Sequence, residues 1–178
     1  MSIRTFEGHT PHIADSAYVD EQALVIGDVH LGDDSSIWPM TVVRGDVNSI
    51  RIGERTNIQD GSVVHVTHDC EYSPGGYAVT IGDDVTVGHR VVVHACEIGD
   101  RCLIGMGSVI LDGAIIEPDS MIGAGCLVPP GKRLEGGCLW IGSPARKLRE
   151  LSPEELEFLR YSAAHYVNNK NRHKTDCS

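Results

Sequence analysis

A chain of 178 residues with 41% hydrophobic content can bury a core, but only 5% of it is aromatic, so that core must be thin and built from Ile, Val and Leu. Its 15 basic residues are outnumbered by 25 acidic ones, and no Lys/Arg-rich tract occurs, which argues against nucleic acid or an anionic membrane as partner. The opening Met1-Ser2-Ile3-Arg4-Thr5 has no apolar run of signal length and no stretch approaches spanning length, so a cytoplasmic location is expected.

From Ile13 onward an aliphatic residue recurs every six positions, at Val19, Val25, Leu31, Ile37 and Val43. The frame then shifts and restarts at Ile52, Ile58 and Val64. Residues 66–80 interrupt it; they carry Tyr72, Pro74-Gly75-Gly76 and Tyr77 and should protrude as a loop beginning directly after His65. The frame resumes at Ile81, Val87 and Val93, takes a five-residue step to Ile98, and continues through Ile104, Ile110, Ile116, Ile122, Val128 and Leu134. Small residues fill the fifth place of these units: Cys102, Ser108, Ala114, Ser120 and Cys126.

Six is neither a helix period nor a hairpin spacing, but it is a repeat of parallel β-helices, in which each unit forms one flat of a three-sided coil. First and fifth residues point inward, and Gly or Asp take the corners, where unusual backbone angles are needed. The fold class is therefore all-β, a parallel β-helix, left-handed by resemblance to the hexapeptide-repeat superfamily. An ordinary β-sandwich would need alternating strands and hairpin turns that this pattern lacks. None of the six cysteines forms a C-x-x-C pair: Cys102, Cys126 and Cys138 read as small core residues, Cys70 as a loop residue and Cys177 as part of the tail.

The prism should occupy residues 1–148, closed by Gly142-Ser143-Pro144-Ala145, with residues 149–178 forming a helix and tail packed on it. Ser152-Pro153-Glu154-Glu155 reads as a helix start with Ser at the cap and Glu closing a capping box. Leu156, Leu159, Ala163 and Tyr166 form its apolar stripe, and the polar residues after Asn168 are expected to fray.

Three histidines hold fixed places on this frame. His65 and His94 each follow an inward valine, so the two imidazoles should stack on one face in neighbouring coils, about 4.8 Å apart. That separation suits two nitrogens about 2.1 Å from one ion. His89 holds the third place of the preceding unit and lies round a corner. Packing three prisms about a threefold axis would let His89 of one subunit complete the site begun by His65 and His94 of another. His9, His12, His30, His68, His165 and His173 have no such placement.

Arg44-Gly45-Asp46, Asn57-Ile58-Gln59-Asp60-Gly61, His65 and Gly88-His89-Arg90-x-x-x-His94, on a hexapeptide β-helix, resemble the γ-class carbonic anhydrase-like family over nearly the whole chain. The resemblance implies a homotrimer with zinc sites between subunits, on His65, His89 and His94, that hydrates carbon dioxide reversibly by a metal-held hydroxide. It further implies that Asn57 and Gln59 line the pocket, that Tyr166 approaches from its rim, and that Arg44, Asp46 and Asp60 join a network at the subunit contact. Plainer roles stand beside these: Arg44 with Asp46 as a structural pair, Asn57 and Asp60 as corner caps, Tyr166 as helix packing. Imidazole accepts iron(II) as well as zinc. The most active members carry glutamates where this chain has Val47 and Asn48, and in a loop where it has only Asp69 and Glu71, which implies slow hydration. Two other readings of the same repeat are an acyl-thioester hydrolase or acyltransferase and a non-catalytic zinc-bound trimer.

Overall fold

The structure, a computed structural model, describes residues 2–176, so Cys177 lies outside the described residues. Each regular hexapeptide forms a two-residue strand followed by a corner. Leu103–Ile104, Val109–Ile110 and Ile115–Ile116 therefore lie on three successive flats. Each strand pairs in parallel with the one a full turn later: Ile104 with Ile122, Ile110 with Val128, Ile116 with Leu134. The expected parallel β-helix with a single terminal helix is the fold of this chain.

One flat carries Val63–His65, Val92–His94, Val109–Ile110 and Leu127–Val128. A second carries Val79–Ile81, Glu97–Ile98, Ile115–Ile116 and Arg133–Leu134. The third carries Ser36–Ile37, Asn57–Ile58, Thr86–Val87 and Leu103–Ile104. The longer strand Val42–Ile52 turns a corner and serves both of the first two flats. Inside, the first-place aliphatics form continuous columns, with Ile58, Val64, Val93, Ile104, Ile110 and Ile122 fully buried. Each such side chain contributes roughly 1.5–3 kcal/mol by leaving water. Ser108 and Ser120, in the fifth place, are also buried, and their hydroxyls donate to the carbonyls of Gly123 (3.0 Å) and Glu117 (2.6 Å), so the narrow core holds no unpaired hydroxyl there.

Three departures from the 18-residue turn are grouped around one edge. Gly27 pairs with Gly45, but Val29 pairs with Ile50, so Asp46–Ser49 bulge out as an insertion. Val63 pairs with Val92, a turn lengthened by the excursion after His65. That excursion is shorter than residues 66–80, because Val66 is buried and Val79–Ile81 is already a strand of the second flat. The five-residue step shortens the next turn, so that Val93 pairs with Ile110.

The helix spans Pro153–Asp176. Its capping box is closed: Glu155 N–H donates to Ser152 Oγ (3.3 Å), and Ser152 N–H donates to Glu155 Oε2 (2.9 Å). Leu159 and Ala163 are buried against the prism. The fraying expected after Asn168 does not occur. Lys170, only 1% exposed, donates to the Ser16 carbonyl and to Asp34 Oδ1, both at 2.7 Å, and Lys174 donates to the carbonyls of Asp15 and Ala17. These two cations supply the tertiary anchor that a polar sequence concealed. Among the described residues no helix is long and apolar enough to cross a membrane.

Two outcomes are expected. Gly27 sits at φ +79°, and a Cβ there would lie 2.2 Å from the Gly45 carbonyl oxygen. Gly27→Ala should lower unfolding stability by roughly 2–4 kcal/mol, against a much smaller loss for Gly8→Ala, whose φ is also positive but whose surroundings are open; urea titration measures both. A salt bridge from Arg149, then the Ser152 N–H, hold the Glu155 carboxyl down at about 2. Its capping contribution is therefore complete above the ordinary carboxylate range and lost only as pH falls through about 2. Carboxyl carbon NMR should show the Glu155 carboxylate losing its charge only near pH 2.

Candidate metal centre

Val63–His65 and Val92–His94 are neighbours in the first flat, with His94 directly opposite His65. Strand alternation turns Val64 and Val93 into the core and both histidines outward. Their rings are 5.2 Å apart between centroids, and His65 Nδ1 faces His94 Nε2 at 3.2 Å. Each outer nitrogen meets a carboxylate: His65 Nε2 lies 3.1 Å from Asp46 Oδ1, and His94 Nδ1 lies 2.6 Å from Asp112 Oδ1.

Those carboxylates decide where the ring protons reside. An ionised carboxylate only accepts, so the nitrogen facing it carries the hydrogen and the other carries the lone pair. In a neutral pair the two facing nitrogens are then both lone-pair nitrogens, an arrangement that repels unless a cation or an added proton sits between them. Two nitrogens about 2.1 Å from one tetrahedral ion stand roughly 3.4 Å apart, close to the separation found. The donor set thus fits a divalent cation, with the ring-to-carboxylate support common to histidine metal sites.

Local electrostatics favour these ionisation states. Burial alone pushes the Asp46 carboxyl up, but hydrogen bonds from Arg44 and His65 outweigh it and hold it below the usual range. Asp112 is likewise raised by burial and lowered further by Thr67 and His94. Burial pushes the His65 imidazole down, Asp46 only partly restores it, and Arg44 lowers it again, which leaves the neutral ring that a metal ligand must be.

His89 is not brought to this pair. It follows Thr86–Val87 round the corner from the third flat, is exposed, and its Nδ1 lies 2.9 Å from Asp60 Oδ2. Like the other two, it has one nitrogen on a carboxylate and the second directed away from it. Among the described residues no group of three or more His, Cys, Asp or Glu gathers within one chain as a metal site.

The remaining candidates divide between the two places. Arg44 donates to Asp46 beside His65, whereas Asp60 is engaged by His89 and so stands apart from that ion pair. Asn57 and Gln59 are buried on the His89 side: Gln59 Nε2 donates to Asn57 Oδ1 (3.0 Å), Asn57 Nδ2 to Thr86 Oγ1 (3.1 Å), and Thr86 Oγ1 meets Ser162 Oγ of the helix (2.9 Å). Gln59, His89 and Tyr166 all line one groove between helix and prism. The Tyr166 ring packs edge-on against Trp38 at 5.6 Å, and burial, then the charge of Asp60, push its phenol up. Asp112 and Thr67 escaped sequence reasoning. Asp112 stands one place past the position in register with His94, because Val93 pairs with Ile110, so the regular repeat gave no signal for it.

The family described as bacterial transferase hexapeptide (six repeats) matches residues 78–112 and 95–130. Protein YrdA of Escherichia coli strain K12 is 55% identical over 96% of this chain and 93% of its own length. Gamma carbonic anhydrase 1, mitochondrial, of Arabidopsis thaliana is 45% identical over 93% of this chain, which spans 60% of that longer protein. A solved structure of a hexapeptide transferase family protein from Anaplasma phagocytophilum has a TM-score of 0.88 at 40% identity, covering 95% of this chain and 96% of that one. With the repeat, the coil and nearly full-length likeness in agreement, the chain belongs to the γ carbonic anhydrase-like family of hexapeptide-repeat proteins.

Proposed function

We propose that this protein is a zinc-dependent, γ carbonic anhydrase-like homotrimer that hydrates carbon dioxide to bicarbonate slowly and reversibly in the cytoplasm. The observation that carries the reading is the pair of facing imidazole nitrogens at 3.2 Å, each ring backed by a carboxylate on its other side. His65 and His94 of one subunit would hold the ion together with His89 of a neighbour, since His89 engages Asp60 through Nδ1, and among the described residues it joins no group of three or more metal-ligating side chains. A divalent ion on three neutral imidazoles supplies the Lewis acidity that makes a water molecule acidic near pH 7.

The chain's own residues would do the rest. Gln59, anchored through Asn57 and Thr86 to Ser162, orients its amide beside His89 and is suited to hold a developing oxyanion. Tyr166 contributes a neutral phenol at the same rim. Asp46, Asp60 and Asp112 keep the three rings in ligand tautomers, and Arg44 keeps Asp46 ionised. Slow turnover follows from Val47 and Asn48 on the bulge, neither of which accepts a proton.

A second reading rests on the groove itself. It measures about 440 Å³ and is lined by Leu103, Met106, Met121 and Ala124 together with His89 and Gln59. Carbon dioxide needs no such apolar channel, whereas the acyl arm of a thioester does. A non-catalytic metal-bound trimer is the third reading and would show neither activity.

Elemental analysis of anaerobically purified protein should find one zinc or iron per subunit; protein that stays metal-free sinks the reading. Gln59→Ala should retain metal and lower kcat/KM for hydration by about 10²–10³. Metal without hydration, but with thioester cleavage lost on chelation, supports the second reading instead. His65→Ala and His89→Ala homotrimers should each be empty, while reassembly of the two variants together should restore metal at mixed junctions. A mixture that remains empty refutes the sharing of ligands between subunits.

A further inference from the structure

The supports of His65 and His94 are joined to each other through one residue of the excursion. Thr67 Oγ1 donates to Asp112 Oδ2, whose other oxygen accepts from His94 Nδ1. The Thr67 carbonyl accepts from Asn48 Nδ2 at 3.1 Å, and Asn48 lies on the bulge that begins at Asp46, the support of His65. Thr67 itself is pinned at the base of the excursion by paired backbone bonds with Tyr77, 2.9 Å and 3.0 Å. The result is a closed ring: His65, Asp46, the bulge, Asn48, Thr67, Asp112, His94, and back across 3.2 Å to His65.

We infer that Thr67 is a positioning residue of the metal centre, setting the angle between the two imidazoles by holding Asp112 with its hydroxyl and the bulge with its carbonyl. The inference rests on the metal reading above, yet the ring is built from the chain's own residues and is testable without metal. A carboxylate held at one oxygen only can turn about its terminal bond, whereas one held at both cannot. The excursion, long enough to look like a surface insertion, is on this view a clamp whose first residues reach back to the site. The remainder of the loop has no such connection, which is why the role falls to Thr67 and not to the exposed Tyr72 or to Asp69, whose carboxylate caps Gly75.

The experiment compares the parent protein with Thr67→Val, which deletes only the hydroxyl, and Thr67→Ser, which restores it. Two readouts are taken: the nitrogen NMR shifts of the His94 ring in metal-free protein, and metal affinity by chelator competition. The expected result is a single Nδ1–H tautomer of His94 in the parent and in Thr67→Ser, a mixture in Thr67→Val, and an affinity about 10–100-fold weaker in Thr67→Val alone, with unfolding midpoints unchanged. Thr67→Val with parental tautomer and affinity overturns the inference, as does Thr67→Ser as weak as Thr67→Val. If Thr67→Val does not fold, Asn48→Ala cuts the same ring on its other side, and unchanged affinity in that variant overturns the inference equally. Should the parent bind no metal, the metal reading fails by itself, and the His94 tautomer alone decides the part played by Thr67.

Discussion

Everything in this fold depends on parallel stacking in register. Each coil buries its aliphatic residues only against the coils above and below, so a column such as Ile58, Val87, Ile104 and Ile122 holds only if every turn returns its inward residue to the same line. A strand of two residues has little pairing of its own to resist a slip, and the column does that work. Length changes are consequently excluded from the flats and forced to the corners. The extra residues at Asp46–Ser49, the excursion after His65 and the short step after Val93 all leave the inward columns intact: Val64 still stacks on Val43, and Val93 on Val64.

The same rule creates the site. On the first flat the residue beside each inward valine must face out, so two coils in register deliver two histidines to adjacent outward places without any further device. What register cannot supply is ring orientation, and that comes from the corner insertions. The bulge brings Asp46 to one ring and the base of the excursion brings Thr67 to the support of the other. Regular repeat and irregular breaks thus have separate tasks, one fixing position and the other fixing tautomer and angle.

This division explains what was legible in the sequence. The coil could be read because hydrophobic period is a property of many residues at once, and the outward facing of His65 and His94 followed from it. The capping box at Ser152 and Glu155 was legible for the same kind of reason, being a local pattern with a local cause. Asp112 was not legible, because the five-residue step sets it one place off the regular turn, where it is indistinguishable in sequence from the other aspartates at corners. Lys170 was misjudged as part of a frayed polar end, since a buried lysine declares itself only when the carbonyl of Ser16 and the carboxylate of Asp34 are seen to receive it. The family resemblance placed Asp60 with Arg44 and Asp46 in a network at the subunit contact; within one chain it meets His89, a pairing that the resemblance did not give.

The charge around the histidines also constrains what substrate the proposed centre can accept. Asp46 and Asp112 are held ionised beside the two rings, and Arg44 offsets their charge only in part. The pair is a cation-seeking surface, and a divalent ion would more than offset the negative charge that Arg44 leaves there. Carbon dioxide, being uncharged, meets no barrier in approaching such a place. A nucleotide-linked thioester would have to keep its phosphates away from these carboxylates, with only its acyl arm in the apolar groove that His89 and Gln59 help to line. The electrostatics therefore favour a small neutral substrate, and admit a thioester only in the orientation that leads with its acyl end.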